Sequence, residues 1–165
     1  LVVGSGLEKV NMGPLNNPGQ RDAVAAAVDR IVSADCGKII CGGKKKEGVG
    51  NFYAPTLLVD VSPDAVSEEI FGPVMPVIPF TTLDEAVEIA NGTPYGLGAS
   101  VWTKNLKTAY TVADQIRSGV VWVNRHLILP PEIPFGGTGN SGYGRENGRE
   151  FIYEYTEPKS ILLGL

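Results

Sequence analysis

The sequence predicts an α/β fold in which parallel strands form a sheet and helices cover it. Two observations predict it. Stretches with apolar residues at helical spacing alternate with short β-branched runs, and from Val74 onward the order is strand, helix, strand, helix, strand. That alternation is the pattern of βαβ units, because parallel neighbours need a crossover, usually a helix, between them.

The first 18 residues carry Gly, Pro and Asn with little periodicity and are expected to be loop. From Gln20, the apolar positions Val24, Ala27, Val28, Ile31 and Val32 recur at helical spacing, and the helix should end near Ala34, before Gly37. Lys38 to Cys41 reads as a short strand closed by Gly42-Gly43, and Thr56 to Val61 as another, ended by Ser62-Pro63-Asp64. Val74 to Phe80 is a β-branched run holding Pro76 and Pro79. Proline removes ladder donors, so this strand belongs at an edge or is irregular.

Thr82 caps a predicted helix over Leu83 to Asn91, with Thr82-x-x-Glu85 as a capping box and Ala86, Val87, Ile89 and Ala90 as the buried stripe. Ala99 to Thr103 is a predicted strand, Leu106 to Arg117 a helix stopped by Gly119, and Val120 to Asn124 a strand. Residues 125–145 are rich in Gly and Pro and form a long irregular loop. Loops of that length in compact domains are usually functional or disordered. Glu146 to Tyr155 can form a short helix, and Pro158 to Leu165 ends the chain as an apolar strand with no evident partner in it.

Composition narrows the function classes. The chain has 165 residues, 43% hydrophobic and 19% charged, enough for one domain with a core. A net charge of -4 argues against nucleic acid, which needs a basic face. The run Lys44-Lys45-Lys46 sits among glycines and reads as a solvated loop. No apolar run approaches the roughly 18 residues of a membrane span. Cys36 and Cys41, with a single His in the chain, do not fit a metal site, so no metal is expected and a reducing cytoplasm is the default compartment. The chain opens Leu1-Val2-Val3-Gly4 with its first methionine at Met12, so a fragment or incomplete record is expected.

Generic catalytic motifs fail. Gly4-Ser5-Gly6 lacks the third glycine of a dinucleotide turn, and no P-loop, HExxH or GxSxG is present. His126 reads as a loop residue. Cys41, following Ile39-Ile40, reads as a buried small hydrophobe and not a nucleophile, since nothing nearby makes its surroundings electropositive.

Three segments carry more. In Glu68-Glu69-Ile70-Phe71-Gly72-Pro73, carboxylates precede an aromatic and a Gly-Pro turn. Such a site can accept hydroxyl hydrogen bonds and offer a ring face, although a helix end followed by a turn explains it equally well. Pro134 to Glu146 holds five glycines within nine residues, and the bulky Phe135, Tyr143 and Arg145 argue for an ordered loop over a linker. Asn91 to Ala99 reads as a helix stop, a tight turn and a strand start.

Together with Met12-Gly13-Pro14, Pro55-Thr56, Gly119 to Asn124 and Tyr155-Thr156-Glu157-Pro158-Lys159, these segments resemble the aldehyde dehydrogenase superfamily, in order along the whole chain. The resemblance implies the later part of the catalytic domain, a parallel-sheet three-layer αβα fold over residues 1–157. A C-terminal oligomerisation strand follows at 158–165, and the dinucleotide-binding domain is absent. It implies NAD- or NADP-dependent oxidation of an aldehyde to an acid. A cysteine thiolate forms a thiohemiacetal, hydride passes to nicotinamide, and a glutamate activates the water that hydrolyses the thioester.

Residue by residue, Glu69 matches the glutamate that binds nicotinamide ribose hydroxyls, and Phe71 the aromatic beside the nicotinamide. Both orient the hydride acceptor. Gln20 aligns with a residue near the adenosine ribose, where some members carry a lysine three residues later and this chain has Ala23. Phe135 matches an aromatic of the substrate tunnel and residues 125–133 its variable wall. The nucleophile, general base and oxyanion-hole asparagine all precede the matched segment, so no catalytic residue is expected here and the chain alone should be inactive. Thr138-Gly139-Asn140 departs from the commoner pattern, which has Lys at position 139. Dimers or tetramers of a cytoplasmic protein are implied, with no nucleic-acid or membrane partner. The alternatives are a non-catalytic assembly module of the same fold, or a related reductase of acyl phosphates.

Overall fold

The computed structural model describes residues 1–164, which fall into two compact units that divide between Thr81 and Thr82.

In the first unit, helix α1 spans Pro18–Ser33. It starts two residues before the expected Gln20 because Asn17-Pro18 is itself a start signal. Asn17 Oδ1 accepts from Gln20 N at 2.8 Å, and Pro18 takes the first turn, where its missing N–H costs nothing. Its apolar stripe buries Val24, Val28 and Ile31 against Tyr53, Leu58 and Val61. Strands β1 (Lys38–Cys41), β2 (Thr56–Val59) and β3 (Val74–Pro76) form one sheet in the order β1-β2-β3. The β1–β2 pair is antiparallel and the β2–β3 pair parallel.

The proline-bearing β3 lies at an edge, as its missing donors require, and pairs only as far as Pro76. β2 likewise stops short of Val61, because Asp60 turns to φ 53 and Pro63–Val66 closes into a 3₁₀ turn. Cys41 corrects the sequence reading. β1 is the other edge strand, and all four of its residues are exposed, so Cys41 is an exposed free thiol and not a buried hydrophobe.

In the second unit, α2 spans Leu83–Asn91 with the expected Thr82 cap, whose Oγ1 accepts from Glu85 N at 3.1 Å. β4 (Tyr95–Gly96) and β5 (Gly98–Val101) follow, then α3 (Leu106–Gln115) and β6 (Val120–Val123). β5 and β6 are parallel in register Gly98 to Val120 through Val101 to Val123, and α3 is their crossover, a βαβ unit as the alternation predicted. Trp122, Ala109 and Val112 form the buried contact between sheet and helix.

α3 ends at Gln115, not Arg117, since Ile116 is already extended. The glycine-rich stretch is not wholly irregular: β7 (Thr138–Gly139) pairs antiparallel with β4. The last helix, α4, is a single turn, Phe151–Glu154. Asn147 and Gly148 both have positive φ, 62 and 65, which breaks the helix expected from Glu146. Residues 158–164 belong to no helix or strand, and Ile161, Leu162 and Leu163 are exposed. Leu165, the last residue of the expected C-terminal strand, lies outside the described residues. No helix among the described residues is long and apolar enough to cross a membrane.

Candidate functional site

The groove in the first unit is built from one face of α1 and the segment that follows the 3₁₀ turn. Gln20, Ala23, Ala27 and Arg30 recur every three or four residues and therefore line one side of the helix. Glu68, Glu69 and Phe71 line the opposite wall, and the groove holds about 260 Å³. The small side chains of Ala23 and Ala27 keep it open. The volume lies just below the roughly 300–1,000 Å³ of ordinary small-molecule pockets.

All three residues singled out for cofactor contact meet in this groove. Glu69 is exposed, and among the described residues nothing hydrogen-bonds or pairs with its carboxylate, so its lone pairs are available to a ligand. The Phe71 ring is 71% exposed, so its face is open too. Gln20 also has a partner within the chain: its side-chain amide donates to the backbone carbonyl of Phe71. The amide thus braces the segment that carries Glu69 and Phe71. Asp22, on the next face of α1, pairs with Lys45 at 2.8 Å and Arg21 at 3.0 Å. These two cations hold its carboxyl below the usual carboxylate range. They also tie the lysine run to the helix.

The second unit carries Phe135 in a separate pocket of about 500 Å³ with Leu97, Ser141, Arg145, Glu146 and Tyr155. The glycine-rich segment is ordered by its own hydrogen bonds. Phe135 and Glu146 exchange backbone bonds at 2.7 Å in both directions, and Arg145 Nη1 donates to Gly137 O at 2.9 Å and Gly144 O at 2.7 Å. The linker reading therefore fails. Gly119 shows why glycine is needed nearby: a Cβ there would overlap the Gly136 carbonyl oxygen. Gly139 sits at φ 59, where glycine avoids the steric cost that a lysine at this position would bear.

Cys36 packs beside the core and its Sγ lies 3.4 Å from Ala34 O, while Cys41 is exposed on an edge strand. Among the described residues, no three His, Cys, Asp or Glu side chains converge as metal ligands would.

His126 does lie in a loop, but it has partners that sequence reasoning missed: Ser100 Oγ at 2.6 Å and the edge of the Trp122 ring, centroid to centroid 5.3 Å. Asn91 and Asn124 were also missed. Asn124, at φ 52, exchanges two side-chain bonds with the Thr103 backbone, at 2.9 and 2.8 Å. An asparagine at the end of α2 and another directly after β6 were the available signal, since Asn side chains bond backbone and Asn tolerates the left-handed φ that Asn124 adopts.

The family model described as the aldehyde dehydrogenase family matches residues 1–161. The chain belongs to the aldehyde dehydrogenase family. Betaine aldehyde dehydrogenase of Cereibacter sphaeroides is 41% identical over 160 residues, covering 95% of this chain and 33% of that protein. Phenylacetaldehyde dehydrogenase of Pseudomonas fluorescens is 39% identical over 168 residues, covering 99% and 33% respectively. A Mycobacterium tuberculosis aldehyde dehydrogenase solved in complex with NAD+ superposes with a TM-score of 0.92 at 38% identity, over 99% of this chain and 35% of that one. The chain thus spans about a third of the length of the aldehyde dehydrogenases it matches.

Proposed function

We propose that this chain is the cofactor-positioning and substrate-lining part of an NAD- or NADP-dependent aldehyde dehydrogenase that oxidises an aldehyde to a carboxylic acid. The observation that carries the reading is the meeting of Gln20, Glu69 and Phe71 in one groove of a chain that matches the family along residues 1–161. When bound, the dinucleotide supplies the hydride acceptor. The Glu69 carboxylate accepts hydrogen bonds from ribose hydroxyls, which suits an exposed, unpaired acceptor, and the open Phe71 ring offers a flat apolar surface to a nicotinamide. Phe135 borders the substrate.

These residues orient and exclude; none makes or breaks a bond. The thiohemiacetal and thioester of the reaction require a cysteine and a general base, which a protein of the relatives' length supplies outside the matched third. The protein works in the cytoplasm as a homodimer or homotetramer, with residues 158–165 at the subunit interface. The exposed Ile161, Leu162 and Leu163 support that placement, because an apolar segment without a partner in its own chain favours burial against another.

The test compares two proteins: the 165-residue chain and the full-length protein that carries it, each with NAD or NADP and a panel of aldehydes. Reduced-cofactor absorbance should rise only with the longer protein. Aldehyde oxidation by the short chain would remove the division of labour, and none by the longer protein would favour an assembly module of the same fold.

A further inference from the structure

We propose that Asn147 is a site of spontaneous modification: the Gly148 nitrogen attacks the Asn147 side-chain amide, and the asparagine becomes a mixture of aspartate and isoaspartate. The inference is independent of the dehydrogenase reading.

The chain holds two Asn-Gly dipeptides, Asn91-Gly92 and Asn147-Gly148. Asparagine is thermolabile, and a following glycine has no side chain to obstruct the approach of its nitrogen. Sequence alone gives the two sites equal standing, and the structure separates them. Asn91 is the last residue of α2, and Gly92 N donates to Ile89 O at 3.1 Å. The Asn91 side chain is tied to the end of α3, with Nδ2 donating to Gln115 O at 2.9 Å and Oδ1 accepting from Arg117 N at 2.8 Å. Ring closure at Asn91 works against all of these bonds.

Asn147 differs in each respect. It belongs to no helix or strand and has φ 62. Among the described residues, nothing hydrogen-bonds its side-chain amide, which is free to turn toward its own main chain. The attacking nitrogen is held by a single bond, from Gly148 N to Pro131 O at 3.0 Å. A proton acceptor is at hand: a Cβ built on Gly148 would lie 2.9 Å from Glu150 Oε2, so the Glu150 carboxylate sits beside the attacking residue.

The step needs no oxidant or reductant. Gly148 N gives its proton to the Glu150 carboxylate and bonds to Asn147 Cγ. The Cγ–Nδ2 bond then breaks, and ammonia leaves carrying that proton. Water opens the resulting succinimide ring. Addition at Cγ yields aspartate, and addition at the main-chain carbonyl yields isoaspartate, in which the chain runs through the side-chain carbon. The isoaspartate form lengthens the main chain directly after Glu146, whose paired backbone bonds with Phe135 help to order the glycine-rich segment.

The experiment incubates the full-length protein in mildly alkaline buffer. Mass spectrometry follows the peptides that contain Asn91 and Asn147, and isoaspartate methyltransferase labels the products. In the folded protein Asn147 should convert about tenfold faster than Asn91, the scale of the additional hydrogen bonds that Asn91 must break. In urea the two rates should converge, because the dipeptides are the same. Glu150→Gln removes the proton acceptor at an exposed position, so it should slow Asn147 by about threefold or more and leave Asn91 unchanged. Equal rates at the two sites in the folded protein, conversion of Asn147 only after unfolding, or an Asn147 rate that Glu150→Gln leaves unchanged overturns the proposal.

Discussion

The side-chain amide of Gln20 donates to the backbone carbonyl of Phe71, joining the first turn of α1 to the segment that carries Glu69. One donor thereby ties the two walls of the groove together. Replacing Gln20 with Met keeps the length of the side chain and removes the donor. The loss should be about 1 kcal/mol, roughly fivefold in cofactor KM, with kcat little changed because the amide does not touch the reacting atoms. Cofactor titration of the full-length variant checks this, and a fall in kcat with KM unchanged would contradict it.

Glu69 and Glu68 are neighbours in sequence and both border the groove, yet only Glu69 is assigned the ribose hydroxyls. Glu69→Gln keeps the shape and removes the charge. Hydrogen bonds to a charged acceptor are worth about 1.5–3 kcal/mol, so cofactor KM should rise tenfold or more, and Glu68→Gln should stay within about twofold. Both residues are exposed, so thermal unfolding should be the same for the two variants and the parent. Equal effects from both substitutions would mean that the groove attracts or repels the cofactor by charge alone.

Local chemistry made part of this architecture readable in advance. Thr82 and Glu85 lie within one turn, so the start of α2 follows from a motif of four residues. Pro76 and Pro79 put β3 at an edge without reference to any partner, because the missing donors belong to the residues themselves. The exposure of Cys41 and the pairing of Thr138–Gly139 with β4 depend instead on which distant strand lies alongside, and no short-range pattern encodes that. At the site, Gln20, Glu69 and Phe71 came from matched motifs. The bond from Gln20 to a carbonyl 51 residues away left no mark on side-chain type, since any residue at position 71 offers that carbonyl.

Tyr53 is fully buried in the core, yet its hydroxyl has no hydrogen-bond partner among the described residues. The neighbouring Thr56 hydroxyl donates to Ala54 O and accepts from Gly43 N, both at 2.8 Å, and its own influence on the phenol is downward and smaller than that of burial. Burial, and then the negative charge of Asp29, push the phenol above its ordinary value of 10.0. A raised value means that the neutral phenol's contribution is complete below pH 10. It is lost as pH rises above 10, when the unfolded chain ionises first. Tyr53→Phe should therefore be neutral to stabilising at pH 7, by up to about 1–3 kcal/mol for a desolvated group no longer buried unpaired. It should also lessen the fall in stability above pH 10. Urea unfolding at pH 7 and pH 10.5 compares the two, and a variant less stable than the parent at pH 7 would show that the hydroxyl has a partner in solution.

Asn91 ends α2 and holds the end of α3. Its Nδ2 donates to Gln115 O at 2.9 Å, and its Oδ1 accepts from Arg117 N at 2.8 Å. The Arg117 guanidinium returns a bond to Asn91 O at 2.9 Å. This capture explains why α3 stops at Gln115: the Arg117 N–H that would extend the helix is drawn to a neighbouring element. Asn91→Ala removes two of these bonds at exposed positions where water can replace them, which should cost about 0.5–1.5 kcal/mol. Asn91→Asp keeps the acceptor for Arg117 N and loses the donor to Gln115 O, so it should cost about half as much. Thermal unfolding of the full-length protein orders the variants, with the parent highest, Asp next and Ala lowest. If Asp and Ala are equally destabilised, the bond to Gln115 carries the whole tie and the Arg117 N–H is satisfied by water.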